Sequence, residues 1–362
     1  MVISLGSWRT METALILCEG YFGTGTGKTA NGLVRHSRRY RIVGVLDRTK
    51  AGRDAGEVLD GKPCGIPIFA DLRTGLAKLP EKPDTLILGV ATFGGYIPAE
   101  FRPVIREAIE AGLNVAAGLH EYLSEDQEFA ELATRQGVRL IDVRKPRPLR
   151  ELEQFSDRSR HLPCLRIPVL GTDGSIGKRT TAILLTDALE GAGISAEFVA
   201  TGQTGLLQGA RYGVPIDAIR GDFMVGELEA QIVKAYEERK PKVIVVAGQG
   251  SISHPAYVCG TRAILMASMP SGIVLQHAPG RKVRNFRQDV VSWPMPQIEK
   301  EIQMLELFSD SKVLALTLNH ETLTPEDVKR IEEEYESRYG LPTWDPLLDG
   351  CEKLVDTIRV LL

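Results

Sequence analysis

Residues 166–182, RIPVLGTDGSIGKRTTA, decide how the rest of the chain is read. Ile167 to Leu170 is an apolar run that suits a short buried strand. Gly171-Thr172-Asp173-Gly174-Ser175-Ile176-Gly177 is a glycine loop, and Lys178-Arg179-Thr180-Thr181 opens an amphipathic helix. Strand, glycine loop and helix start with a lysine is the layout of a phosphate-binding loop. Its backbone N–H groups and the positive end of the helix hold anionic oxygens, and the lysine adds a point charge. Gly171, Thr172, Asp173, Gly174, Gly177, Lys178, Arg179 and Thr180 are therefore the expected phosphate or coenzyme ligands. The spacing departs from the common Walker pattern. Five residues rather than four separate Gly171 from Gly177, and Arg179 stands where Ser or Thr should follow the lysine. The competing interpretation is an ordinary glycine-rich turn between strand and helix.

At 362 residues the chain is too long for one typical domain, so two are expected. Hydrophobic residues at 43% and charged residues at 25% are ordinary globular values. A net charge of −3 with dispersed basic residues offers no footprint for nucleic acid. Cys18, Cys64, Cys164, Cys259 and Cys351 form no CxxC pair and no metal-ligand spacing. They read as thiols in a reducing compartment, and no metal is expected from them. No apolar run approaches the roughly 20 residues of a membrane span. The N-terminus lacks the basic start and cleavage site of a secretory signal. A soluble cytoplasmic protein follows, with a small-molecule substrate, no nucleic-acid or membrane partner, and a homo-oligomer as the expected form.

Working outward, the first half alternates strands and helices. Thr13 to Cys18 (TALILC) suits a strand buried on both faces of a parallel sheet. It leads into a glycine stretch, Gly20 to Thr29, with Gly23, Gly25, Gly27 and Lys28. Arg41 to Leu46 is the next strand, closed by Asp47. Gly27 to Asp47 is 20 residues, the interval at which a Rossmann unit places its ribose-binding acid. These glycines miss the G-x-G-x-x-G pattern, so this nucleotide-type turn competes evenly with a structural one. Further strands are expected at Thr85–Val90, Leu113–Ala117 and Val138–Val143. Helices are expected at Glu100–Ala111 and Gln127–Gln136. Lys145 to Pro163, proline-rich and charged, is the expected linker. It divides a Rossmann-like parallel-sheet domain, residues 1–150, from a P-loop NTPase-like α/β domain, residues 151–362.

In the second half the expected strands end in polar residues, as a ligand-binding edge requires. Ala196–Ala200 ends in Thr201-Gly202-Gln203-Thr204-Gly205. Lys242–Val246 ends in Ala247-Gly248-Gln249-Gly250, with Ser251 and His254 following. Gly272–Leu275 ends at Gln276-His277, and Val313–Leu318 at Asn319-His320. Thr201, Gln203 and Thr204 read as binders of a small polar substrate, since a buried strand rarely ends so polar without a partner. His277 and Asn319 are candidates for the same pocket. Asp222 begins a helix expected from about Val225 to Lys240.

The ordered set GTD-GSIGKRTT, VATGQTG, IRGDF, GQGS-x-x-HPAY, LNH and GLP-x-x-DP resembles the DUF1611 family. ILGVA-x-x-GG, AAGLHEYLS and LIDVRKP in the first half fit the same family, so the resemblance covers nearly the whole chain. It implies a Rossmann-like domain followed by a P-loop domain similar to dethiobiotin synthetase, whose loop has the same longer GTD-x-x-x-GK form. It also implies the activity of the family's D-glutamate N-acetyltransferases, which move acetyl from acetyl-CoA to the amine of a D-amino acid. The GYFGTGTGKT stretch departs from other members. Ala247 departs from dethiobiotin synthetase and its relatives, which carry an acid there that helps hold Mg²⁺. With Arg179 also displacing a hydroxyl ligand, only Asp173 and Asp222 remain as carboxylates for a metal-nucleotide. This weakens nucleotide cleavage and leaves intact a phosphate-rich ligand that is bound but not hydrolysed, such as coenzyme A.

Acyl transfer to an amine needs a proton acceptor, stabilisation of the thioester oxygen, and alignment. His254 is the expected base. Gln249 and the backbone N–H groups of Gly248 to Ser251 are the expected oxyanion or carboxylate contacts. Asp222 is expected to orient a base or the amine, or else simply to sit at a helix N-terminus. Two other functions compete: an ATP- and Mg²⁺-dependent ligase or kinase acting on a small carboxylic acid, and a non-catalytic nucleotide sensor built on Gly23, Gly25, Gly27, Lys28 and Asp47.

Overall fold

Apolar runs buried on both faces become the strands of two all-parallel sheets, the arrangement that helices covering both faces allow. The structure, a computed structural model, describes residues 11–286 and 290–362. The chain divides into two units, Met1–Lys145 with Leu207–Gly209, and Pro146–Leu206 with Ala210–Leu362. Residues 1–10, on which the absence of a secretory signal was in part read, lie outside the described residues. No helix among the described residues is long and apolar enough to cross a membrane.

In the first unit the strands are β1 (Glu12–Leu17), β2 (Tyr40–Leu46), β3 (Ile68–Phe69), β4 (Thr85–Leu88), β5 (Asn114–Ala117) and β6 (Leu140–Asp142). They lie in the order β3-β2-β1-β4-β5-β6. This is the doubly wound dinucleotide-fold order, with its switch point between β1 and β4. The helices are α1 (Lys28–Arg35), α2 (Ala55–Asp60), α3 (Leu72–Lys78), α4 (Phe101–Glu110) and α5 (Gln127–Gln136). The segment 48–84, which carries only weak periodicity, holds β3, α2 and α3. Asp54 anchors it by accepting from the backbone N–H groups of Gly56, Glu57, Cys64 and Gly65.

In the second unit the strands are β7 (Leu165–Gly171), β8 (Ala196–Ala200), β9 (Tyr212–Gly213), β10 (Val243–Ala247), β11 (Ile273–His277), β12 (Val313–Leu318) and β13 (Thr343–Trp344). Their order is β13-β12-β11-β7-β10-β8-β9, so the glycine loop leaves the central strand. Ile167, Val169 and Leu170 are fully buried. Each such side chain contributes roughly 1.5–3 kcal/mol relative to exposure. The helices are α6 (Lys178–Gly191), α7 (Gln203–Leu207), α8 (Gly221–Arg239), α9 (Val258–Ser268), α10 (Ile298–Ser309), α11 (Pro325–Tyr339) and α12 (Glu352–Arg359). A capping box of Thr324 and Asp327 starts α11, with Pro325 behind the cap, and Gly340 at φ +64 ends it.

Two sequence expectations change here. The expected linker is no free tether, because two buried glutamates of α8 hold it. Glu227 accepts from the N–H of Glu153 at 2.6 Å, and Glu229 accepts from those of Ser156 at 2.7 Å and Ser159 at 3.2 Å. Gly226 lets this segment lie against the helix, since a Cβ there would stand 2.3 Å from the Gln154 carbonyl carbon. Second, α8 begins at Gly221, so Asp222 lies within its first turn.

Candidate functional site

The glycine loop is shaped around one lysine. Lys178, the first residue of α6, is only 6% exposed. Its ammonium donates to the carbonyl oxygens of Asp173 and, at 2.9 Å, Gly250. Two glycines clear space for its stem. A Cβ on Gly171 would stand 2.9 Å from Lys178 Cδ, and one on Gly248 would meet Lys178 Cδ at 2.9 Å and the Val169 carbonyl oxygen at 2.1 Å. Gly177, with φ +99, turns the chain into α6, where no side chain caps the first turn. A helix start left without a side-chain cap, beside a buried lysine, is the donor set an oxyanion requires. Arg179 and Thr180 follow in the same turn, both half-buried.

Asp173 is fully buried and links the loop to the 281–285 segment. Its Oδ2 accepts from Arg281 Nη1 at 2.7 Å and from the Asn285 N–H at 2.8 Å. Arg281 also donates to the Gly174 carbonyl at 2.8 Å and grips both oxygens of Glu321 at 2.7 and 2.8 Å. Arg284, 2% exposed, donates to the Thr172 carbonyl, to Ser251 Oγ and to Ser253 Oγ. Ser253 in turn donates its hydroxyl to the buried Glu301. Burial pushes the Glu301 carboxyl above the ordinary carboxylate range, although Ser253 and Arg284 oppose this.

His254 is 2% exposed, and its Nε2 lies 3.5 Å from Asp173 Oδ1. Its Nδ1 accepts from the backbone N–H groups of Ala256 at 3.0 Å and Tyr257 at 2.9 Å. An Nδ1 that accepts twice carries no proton, so the neutral ring holds its proton on Nε2, toward Asp173. Burial, then the Arg284 charge, lowers its pKa to about 4, against the pull of Asp173. The expected base role is therefore corrected: the free lone pair is spent on backbone, and His254 is a proton-bearing ring pinned by its own turn, its Nε2 facing Asp173 Oδ1 outside hydrogen-bond geometry. His277, 6% exposed, shares a hydrogen bond of 2.8 Å between its Nδ1 and Thr172 Oγ1. Burial, followed by the Arg281 charge, lowers its pKa to about 4 as well.

The other expected residues separate into those near the loop and those spent elsewhere. Gln276 Oε1 accepts from Thr181 and Thr317, both at 2.6 Å. Asn319 Nδ2 lies 3.5 Å from where a Cβ on Gly177 would be, which puts it beside the loop. Thr201 donates to the Ala247 carbonyl at 2.8 Å, and Gln249 donates to the Thr201 carbonyl. Gln249 thus ties the ends of β8 and β10 together, which takes up one amide hydrogen of the expected oxyanion contact. Gln203 and Thr204 are buried at the start of α7. Asp222 is exposed in the first turn of α8, the position of a helix N-terminal carboxylate, and none of the hydrogen bonds described above involves it.

The glycine stretch of the first unit is arranged differently. The Gly23 N–H donates to Asn31 Oδ1 at 3.0 Å, and the Gly27 N–H to Thr24 Oγ1 at 3.4 Å. Gly25 and Lys28 are exposed. Asp47 is fully buried, and both its oxygens are committed. Oδ2 accepts from the Phe22 N–H at 3.1 Å, and Oδ1 from Thr49 N at 2.9 Å and Thr49 Oγ1 at 2.6 Å. The ribose-binding expectation for Asp47 is corrected on this ground: the carboxylate closes its own turn.

Sequence reasoning missed Arg281, Arg284, Glu301 and Glu321. The available signal was the basic run Arg281-Lys282-Val283-Arg284, just after the polar end of β11.

Comparison with known proteins bears on this arrangement. Residues 153–355 match the family described as a domain of unknown function, DUF1611, P-loop domain, and residues 48–146 match its Rossmann-like N-terminal domain. The chain belongs to the DUF1611 family. A solved structure of a DUF1611 family protein from Anabaena variabilis superposes with a TM-score of 0.87 at 30% identity, covering 96% of this chain and 99% of that one. A D-glutamate N-acetyltransferase of Tritonibacter scottomollicae is 33% identical over 76% of this chain and 81% of its own length. One from a Pseudoalteromonas species is 32% identical over 77% and 82%. The DUF1611 fold of two parallel-sheet domains, Rossmann-like then P-loop, is thus the fold of this chain.

Proposed function

We propose that this DUF1611 chain is an N-acetyltransferase that moves acetyl from acetyl-CoA to the amine of a D-amino acid, D-glutamate being the first choice. The observation that carries this reading is the pair of curated relatives named D-glutamate N-acetyltransferase, each aligned over about three-quarters of the chain. The chemistry of the 171–180 loop is compatible with it. Coenzyme A presents phosphates, which suit the uncapped start of α6 together with Lys178 and Arg179. Lys178 would exchange the carbonyls of Asp173 and Gly250 for phosphate oxygens. Ala247 offers only a methyl group at the end of β10, and Asp173 is tied to Arg281, a donor set that favours binding over hydrolysis. Thr201, Gln203, Thr204 and Asn319 are the polar groups proposed for the amino acid. A small-molecule substrate and a homo-oligomer remain part of the proposal.

The test is thiol release from acetyl-CoA with a panel of D- and L-amino acids, run beside phosphate release from Mg-ATP with small carboxylic acids. Thiol release with D-glutamate is the expected result. Phosphate release without thiol release would favour the ligase or kinase alternative, and neither product would refute both.

A further inference from the structure

Resting on the acetyl-transfer reading, the reaction still needs a proton acceptor: His254 spends its lone pair on backbone N–H groups, and His277 is buried against Thr172. We propose that His320, oriented by Asp345, is that acceptor. His320 Nδ1 lies 2.8 Å from Asp345 Oδ2, with Asp345 1% and His320 37% exposed at the side chain. A buried carboxylate beside a half-open imidazole fixes the tautomer: Nδ1 carries the proton that Asp345 accepts, and Nε2 keeps a lone pair for a ligand. Asp345 is itself held in place. Its Oδ1 accepts from the Leu347 N–H at 2.8 Å, and its own N–H donates to Glu332 Oε1 at 3.0 Å.

The pair sits at the edge where the substrate is expected. β12 and β13 are adjacent and parallel, with Thr317 opposite Trp344, and His320 and Asp345 follow their carboxyl ends. The neighbours of His320 reach the glycine loop. Asn319 donates its N–H to the His277 carbonyl at 2.8 Å and brings its side chain beside Gly177. Glu321 holds Arg281, which grips Asp173 and Gly174. Between β7 and β12 lies only β11, so the two sites are about 10 Å apart at two strand spacings. In coenzyme A the thioester lies at the far end of the pantetheine arm from the phosphates, which suits such a separation. The charged groups around the pair are Glu321 and Arg281 on one side, Glu332 of α11, Asp349, and Lys353 of α12.

The step balances without a further reactant. The ammonium sheds one proton to solvent and becomes the free amine. His320 Nε2 takes a second proton as the amine nitrogen bonds to the thioester carbonyl carbon. The C–S bond then breaks, and the leaving thiolate takes that proton back from the imidazolium.

The experiment measures D-glutamate acetylation and acetyl-CoA affinity for the wild type, His320→Ala, His320→Gln and Asp345→Asn. Either His320 variant should lose about 10²- to 10⁴-fold in kcat/KM, the contribution of general-base catalysis. Acetyl-CoA affinity should be unchanged, which also reports that the variants fold, and added imidazole should restore part of the activity of His320→Ala. Asp345→Asn, a change of a positioning residue, should lower kcat while leaving KM for D-glutamate and acetyl-CoA affinity near wild type, because the imidazole loses the partner that aims it. His320 variants keeping more than about a tenth of wild-type kcat/KM, or an Asp345→Asn that changes KM and acetyl-CoA affinity rather than kcat, would overturn the assignment while leaving acetyl transfer intact. A wild type that acetylates no amino acid would overturn the acetyl-transfer reading, and this assignment with it.

Discussion

Two glycine stretches in this chain begin alike, and only one is built around a charge. Each follows a buried parallel strand, and each runs through Gly-Lys into a helix with no side-chain cap. In the first unit Lys28 is exposed, and Asn31 and Thr24 take up the N–H groups of Gly23 and Gly27. In the second, Lys178 is buried along a path cleared by Gly171 and Gly248, and Asp173, Arg281 and Arg284 surround the loop. The difference teaches that a glycine loop becomes an anion site through what faces it. Glycines that merely allow a turn are soon occupied by the turn's own side chains.

Gly248→Ala should break this contrast most severely. Its Cβ would stand 2.1 Å from a strand carbonyl, so a loss above ~4 kcal/mol is expected. Gly23→Ala, with φ +80 and its nearest atom at 3.3 Å, should lose about 1–3 kcal/mol. Denaturant unfolding compares them, and equal stability would mean that Gly248 clears no path. Next in size is Asp173→Ala. It strips Arg281 of one buried partner and should cost about 3 kcal/mol, the low end for a broken buried pair because Glu321 remains. Asp47→Ala removes the cap of the 48–50 turn and the partner of the Phe22 N–H, and should cost about 2 kcal/mol. A smaller cost for Asp173→Ala than for Asp47→Ala would show that the ion pair does not brace the loop.

The third contrast is in pH. His254 and His277 titrate near 4 when folded and near 6.5 when unfolded, so the unfolded chain binds more protons between those values. Their contribution is complete above pH 6.5 and is lost as pH falls toward 4, each histidine adding up to about 1.4 kcal/mol per pH unit. The melting temperature should therefore fall across this window, and less steeply in His254→Gln and His277→Gln. Identical slopes in wild type and variants would contradict the buried, neutral assignment.

What could be read in the sequence was what local pattern determines. Continuous apolar runs such as VIVV at 243–246 admit little but a buried parallel strand, and the GTD-x-x-x-GK spacing specified the loop and its helix start. Less legible was what long-range contact decides. Turn contacts were no easier to read. The His254 Nδ1 accepts from N–H groups two and three residues on, and Asp47 from Thr49 two residues on, geometry that leaves no periodic signal, while Phe22 lies 25 positions from Asp47. Arg281 is separated from Asp173 by 108 positions, and Asp345 from His320 by 25, distances no helix or strand period spans. His320 stood in a quoted motif, yet its carboxylate partner becomes apparent only when β12 and β13 pair.

The claim that the loop of the second unit, and not that of the first, holds the coenzyme is tested most directly by calorimetric titration of acetyl-CoA into the wild type, Lys178→Ala and Lys28→Ala. A charged hydrogen bond contributes about 1.5–3 kcal/mol. Lys178→Ala should therefore bind roughly ten- to a hundred-fold more weakly, while Lys28→Ala keeps wild-type affinity. Unchanged affinity in a folded Lys178→Ala, or a comparable loss in Lys28→Ala, would contradict the account.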